Sequence, residues 1–202
     1  MQGKLNTRFI LGSGSPRRKE LLSLVIPEFE IVPSRYDESA LERTGLTPED
    51  VVQKLSFEKA HEVFDRMKGK ENLCVIGGDT IVLSPDGELM GKPVSREDAF
   101  RMLRSLSGKT HSVLTAVTIL FGKEDILQKE IFSVKTGVTF YSLSDDEIER
   151  YLDTGEPFDK AGSYGIQGKG GLLVRKIHGD YNNVVGLPIS ELNRTLIKMG
   201  LL

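Results

Sequence analysis

The run Leu73-Cys74-Val75-Ile76-Gly77-Gly78-Asp79-Thr80-Ile81-Val82-Leu83 decides how this chain folds. It is apolar at both ends and rich in β-branched residues, the pattern of a strand covered on both faces. Pro85-Asp86-Gly87 follows as a turn signal, so the strand is expected to return as a hairpin through Leu89 and Met90. The two glycines inside it mark either a bulge or a place where another segment comes close. Asp79 is the anomaly, because an acid in such a run is costly to bury unless it is paired or holds a metal. The bland alternative is a strand end where Asp79 simply meets solvent.

Strand-like and helix-like segments alternate on both sides of this run, which is the α/β or mixed α+β class. Upstream, a strand through Phe9, Ile10 and Leu11 stops at Gly12-Ser13-Gly14-Ser15, and Pro16 opens a short helix through Leu21, Leu22 and Leu24. A second strand covers Phe29 to Val32. A long helix then runs from about Pro48 to Met67, started by the Thr47/Asp50 pair, with Val52, Leu55, Val63 and Met67 as its apolar stripe. Downstream, Ser95 and Asp98 cap a helix through Ala99, Met102, Leu103 and Leu106 that ends at Gly108. Two β-rich stretches follow, His111 to Phe121 and Ile131 to Leu143. Ser144 and Glu147 box a helix closed by Gly155, Glu156 to Gly171 is glycine-rich and irregular, and a strand from Leu172 to Ile177 precedes a final helix from Pro188.

The bulk numbers narrow the function classes. At 202 residues the chain suits one domain, and no repeat, low-complexity tract or linker divides it. Its 39% hydrophobic and 28% charged residues are ordinary for a globular protein. A net charge of -2 offers no surface for a nucleic-acid polymer, although a local Lys/Arg cluster could still hold a small anion. Cys74, the single cysteine, cannot form an internal disulfide and reads as an inert core thiol. His61, His111 and His178 lack metal-ligand spacing. With no apolar run of membrane-spanning length and no signal-peptide pattern, a soluble cytoplasmic protein with no membrane partner is expected.

Four places could carry chemistry. Ser13-Gly14-Ser15-Pro16-Arg17-Arg18 lies between a strand and a helix, where free N–H groups, the helix dipole and two guanidinium forks suit phosphate; a capped surface helix is the plain reading. It is neither a Walker A loop nor a GxGxxG. Asp79 is the second. Lys59, between Leu55 and Val63 on the apolar stripe, either snorkels outward or points its ammonium into a site, and Lys92 in Gly91-Lys92-Pro93 is a turn lysine unless it has company. The fourth is Phe158-Asp159-Lys160-Ala161-Gly162-Ser163-Tyr164-Gly165-Ile166-Gln167-Gly168, a loop shaped around a ligand in which Gln167 could read a base edge, or else a mobile lid. Asp37 and Glu38 are candidates for a second carboxylate. Carboxylates together with phosphate oxygens are how Mg²⁺ is usually held, so the set points to metal-assisted phosphate chemistry by water.

SGSPRRKELL, FEKA, GGDTIV, GKP, MLRSLSGKTHSV, EPFDKAGSYGIQG and VVGLP, in that order from about Ile10 to Pro188, resemble the motifs of the Maf nucleoside triphosphate pyrophosphatases. The resemblance implies a mixed α/β fold with an elongated twisted sheet flanked by helices. It also implies two lobes with a cleft in a single domain over residues 1–202, similar to the inosine triphosphate pyrophosphatases. It assigns Asp79 as the catalytic acidic residue, metal ligand or general base, Glu38 as a further acidic site position, and Arg18, Lys59 and Lys92 to the phosphates. Taken with the reading of the residues, Asp79 and Glu38 are expected to hold a divalent Mg²⁺ or Mn²⁺, and Ser13 and Arg17 to join the phosphate set. Arg17, Thr80 and Gln167 match positions tied to substrate choice and resemble the branch that takes dTTP, UTP and modified pyrimidine triphosphates. A homodimer is also implied. The rival expectations are a nucleotide-binding regulator of septum formation without turnover, and a purine pyrophosphatase acting on ITP. Gly77-Gly78 departs from a more usual Gly-Ala.

Overall fold

The computed structural model describes residues 7–69 and 71–202. Among these residues seven strands form one mixed sheet: β1 (Thr7–Leu11), β2 (Glu30–Ile31), β3 (Asn72–Leu83), β4 (Leu89–Met90), β5 (Thr110–Gly122), β6 (Ile126–Phe140) and β7 (Val174–His178). The order across the sheet is β2-β1-β3-β5-β6-β7, with β4 paired to β3. β1 runs parallel to both β2 and β3, whereas the β3/β4 and β6/β7 pairs are antiparallel. The mixed α/β class read from the sequence is therefore the class observed.

Among the described residues six α-helices accompany the strands: α1 (Pro16–Ser23), α2 (Pro48–Met67), α3 (Arg96–Leu106), α4 (Asp145–Leu152), α5 (Tyr181–Val185) and α6 (Ile189–Lys198). Their starts follow local chemistry. Thr47 and Asp50 close a reciprocal capping box at α2, and Ser144 and Glu147 do the same at α4. Pro16 and Pro48 occupy first helical positions, where a missing N–H costs nothing.

Several boundaries move from expectation, among them the end of β6, at Phe140 rather than Leu143, and the start of β7, at Val174 rather than Leu172. β6 begins at Ile126 rather than Ile131, and β2 keeps only Glu30 and Ile31, both exposed. Three short 3-10 turns (Glu156–Asp159, Ala161–Ser163 and Gly168–Leu173) replace the irregular glycine-rich stretch.

The chain divides into two compact units. Of the described residues, the first comprises those up to 79 with 115–133 and 186–202; the second comprises residues 80–114 and 134–185. In the first, α2 lays Ala60, Val63 and Phe64 against Ile10, Leu73, Val75 and Leu120, all buried. In the second, Ala99, Met102, Leu103 and Leu106 of α3 pack with Val138, Phe140, Ile148 and Leu152. Each fully buried aliphatic side chain of this kind contributes roughly 2 kcal/mol. Cys74 is 0% exposed, and burial pushes its thiol pKa up, as suits a core residue. Among the described residues, no helix is long and apolar enough to cross a membrane.

Candidate active site

The buried acid in β3 is paired, and the strand-end alternative fails. Asp79 is 6% exposed, and its Oδ1 accepts a hydrogen bond from Lys59 Nζ at 2.6 Å. The same ammonium lies 2.7 Å from Glu38 Oε1, so two carboxylates converge on one cation. Lys59 therefore does not snorkel: its side chain is 14% exposed and turns inward. Low exposure lets this charge pair act with less screening by water than a surface pair would feel.

Close packing sets this geometry. An ideal Cβ at Gly77 would stand 2.7 Å from both Ala60 Cβ and Ser56 O. The absence of a side chain lets β3 approach the α2 backbone on either side of Lys59, which brings the ammonium within reach of Asp79. Of the two readings of the glycine pair, close approach is the one realised at Gly77.

Glu38 is delivered by the loop after β2, and α2 fastens that loop. Glu62 Oε2 accepts the Arg35 backbone N–H at 3.0 Å, and Arg66 Nη2 donates to Pro33 O at 2.9 Å. Glu62 and Arg66 also pair with each other, one helical turn apart. Lys59, Glu62 and Arg66 thus share one face of α2 and hold the loop at three points. Asp37 serves the loop itself, since its Oδ1 accepts from Ser39 N at 2.9 Å and caps a 3-10 turn over Glu38–Ala40.

At the start of α1, Ser15 is the N-cap and accepts from Arg18 N at 3.4 Å. Ser13 Oγ accepts from Ser15 N at 3.3 Å and from Arg18 Nη1 at 3.1 Å. Arg18 Nε donates to Gly186 O at 2.9 Å, so this guanidinium is fixed by the backbone. Burial pulls the Arg18 pKa below its ordinary value; the negative charge of Asp79 opposes that, Arg17 adds to it, and Glu38 opposes it. Arg18 is thus electrostatically linked to both carboxylates. Arg17 is the second residue of α1 and is half-buried.

Thr80, Lys92 and Gln167 belong to the second unit. Thr80 is half-buried in β3, Lys92 is exposed after β4, and Gln167 is exposed in the glycine-rich loop. In the same unit, His111 Nε2 and Tyr164 Oη are 2.7 Å apart, and both rings meet Phe140 edge-on. Burial lowers the His111 pKa to about 4 and raises that of Tyr164, so both are neutral near pH 7.

Two carboxylates on one cationic group fit an ion such as Mg²⁺, which takes one or two carboxylates and completes its shell with water and phosphate oxygens. Among the described residues, no group of three or more His, Cys, Asp or Glu gathers as an all-protein cage would require.

The family profile described as "Maf-like protein" matches residues 8–199. The chain belongs to the Maf family. This Maf chain is 50% identical to a protein named dTTP/UTP pyrophosphatase from Bacillus velezensis, covering 95% of this chain and 96% of that protein. It is 44% identical to the dTTP/UTP pyrophosphatase of Agathobacter rectalis, covering 96% of this chain and 98% of that protein. Among solved structures, the dITP/XTP pyrophosphatase of Mycobacterium abscessus has a TM-score of 0.49 at 10% identity, over 95% of this chain and 94% of that one. A likeness that weak says nothing of activity.

Sequence reading did not find Glu62, Arg66 or Gly186. Glu62 and Arg66 look like an ordinary surface pair at i, i+4, and Gly186 acts through a carbonyl that carries no side-chain signal.

Proposed function

We propose that this Maf chain is a nucleoside triphosphate pyrophosphatase that hydrolyses dTTP and UTP to the monophosphate and pyrophosphate. The observation that carries the reading is the Asp79–Lys59–Glu38 cluster, built on a buried acid, in a chain nearly half identical, over almost its whole length, to proteins named for that activity. Residues 1–202 act as one domain, since no linker composition parts them. The substrate is a nucleotide in the cytoplasm, and the enzyme works as a homodimer, which its mass in solution tests.

Asp79 and Glu38 are the proposed holders of a divalent cation, Mg²⁺ or Mn²⁺. When bound, the cation supplies charge neutralisation at the triphosphate. The chain's own residues bind, orient and neutralise. Lys59 keeps Asp79 and Glu38 facing one point. Ser13, Arg17, Arg18, Lys59 and Lys92 take the phosphate oxygens, where fixed donors act on developing charge at little reorganisation cost. Thr80 and Gln167, with Arg17, select the base. Water attacks the α-phosphorus, the bond to the bridging oxygen breaks, and pyrophosphate leaves with that oxygen. Asp79 is the acid residue on which water activation depends.

Hydrolysis of dTTP in ¹⁸O-labelled water tests the reading. Label in the dTMP, with unlabelled pyrophosphate, is the expected result. Label in the pyrophosphate would place the attack at the β-phosphorus and overturn it. Tight binding of dTTP without any product would promote the regulator instead, and faster turnover of ITP would promote the purine enzyme.

A further inference from the structure

The loop that carries Gln167 is held from both sides by groups with no assigned role. Downstream of Gln167, Glu156 Oε1 accepts the Lys169 N–H at 3.1 Å and Oε2 accepts the Gly170 N–H at 3.3 Å. Upstream, Tyr151 Oη accepts the Gly165 N–H at 3.2 Å. Glu156 is itself tied down, because its carbonyl accepts from Lys160 Nζ at 2.5 Å, and the Lys160 side chain is only 15% exposed. The packing leaves little slack: a Cβ at Gly170 would lie 2.1 Å from Gly165 O and 2.6 Å from Tyr151 Oη.

A further sign of an over-determined backbone is Ser163, a buried non-glycine residue at φ 61°. Such a conformation persists only where the surroundings enforce it. Here its N–H donates to Lys160 O at 3.1 Å, and its hydroxyl lies 3.0 Å from Met102 Sδ. Ile166 is 9% exposed and Gly170 is buried, yet Gln167 between them is exposed. The fixed backbone therefore presents Gln167, with Lys169 two residues on as the other exposed polar side chain.

We propose that Glu156 is a positioning residue for base selection: its carboxylate clasps the Lys169 and Gly170 amides and holds Gln167 ready before any nucleotide arrives. The Gln167 loop is then a prebuilt platform and does not need to close as a lid. The inference rests on the reading of Gln167 as a base-edge contact. A preorganised amide discriminates well because its ordering cost is met in folding, and a Gln amide can tell a carbonyl from an amino group only when its orientation is fixed. UTP and CTP differ at one such edge position.

The test combines two measurements on the full chain and on Glu156→Ala. Amide exchange followed by NMR without nucleotide should show protected Lys169 and Gly170 in the unaltered protein, with exchange at least about tenfold faster in the variant. The UTP-over-CTP ratio of kcat/KM should fall roughly tenfold in the variant, through KM for UTP rather than kcat. Glu156→Gln keeps one acceptor and should recover part of the preference; it also carries the comparison if the alanine variant does not fold. Open-loop exchange of Lys169 and Gly170 in the unaltered protein, or an unchanged UTP preference in both variants, overturns the proposal. Protected amides in a protein that does not prefer UTP over CTP, or does not turn over either, would instead sink the base-reading role of Gln167 and leave the clasp standing.

Discussion

Two loops of this protein carry side chains that sequence reasoning singled out, and they are fastened in different ways. The Pro33–Glu38 segment is held by charged side chains projecting from one face of α2, with Lys59 on Glu38, Glu62 on the Arg35 amide and Arg66 on the Pro33 carbonyl. The Gly165–Gly170 segment is held by Glu156 and Tyr151 on backbone amides, by close glycine packing, and by the buried Tyr164–His111–Phe140 group. A clamp of side-chain charges responds to salt and to charge deletion. A clasp on amides around a buried neutral cluster responds to acid and to lost packing. The difference teaches that a flexible-looking glycine-rich loop can be fastened through its backbone, where a sequence shows no sign of it.

Acid should act on the second region with the largest effect. His111 is buried and neutral in the fold, with its pKa lowered from 6.5 to about 4 by burial. The unfolded chain therefore binds the proton more readily between those values. The contribution is complete above pH 6.5 and is lost as pH falls toward 4, by about 3 kcal/mol. Urea titrations at a series of pH values should show that slope, and His111→Phe should flatten it. An unchanged slope would break the assignment to the Tyr164–His111 group.

Packing comes next. Gly77→Ala places a methyl 2.7 Å from Ala60 Cβ and Ser56 O, so β3 must retreat from α2. The expected cost is about 2 kcal/mol, or a Tm lower by roughly 4–8 °C, with lost turnover as Lys59 and Asp79 separate. Gly78→Ala is the control: its nearest new neighbour is Arg18 Nε at 3.4 Å, and its effect should be clearly smaller in the same melt.

The smallest effect belongs to the charged clamp. Arg66→Ala removes the bond to Pro33 O and the pair with Glu62, which is worth about 1 kcal/mol. The Mg²⁺ concentration giving half-maximal pyrophosphate release should rise several-fold, and 0.5 M salt should blunt the difference from the unaltered protein. An unchanged half-saturation would mean that the loop carrying Glu38 does not need the α2 clamp.

Much of the fold was legible because its signals are local. Thr47/Asp50 and Ser144/Glu147 announce helices by reciprocal caps, and Pro85-Asp86-Gly87 announces the hairpin. α5 was missed because five residues, Tyr181–Val185, carry no periodicity. The start of β6 was placed late because Leu127-Gln128-Lys129 is exposed and, with the half-buried Glu130, mostly polar, and reads as turn. Asp79 stood out in the sequence as an acid in an apolar run. The direction of Lys59 did not, since its stripe position admits both readings. Only the fold brings together Glu38, 21 residues before it, and Asp79, 20 after. The clasp at Glu156 was illegible for another reason: its partners are backbone amides, which every residue has.

The proposed function places the decisive charge on one carboxylate, that of Asp79. The most direct test measures pyrophosphate release from dTTP and UTP with Mg²⁺ present, comparing the unaltered protein with Asp79→Asn, which keeps the shape and removes the charge. The expected result is release from both nucleotides and a loss of about 10³-fold or more in kcat for the variant, equivalent to roughly 4 kcal/mol of barrier. Near-normal release by Asp79→Asn, with the variant folded, would contradict it.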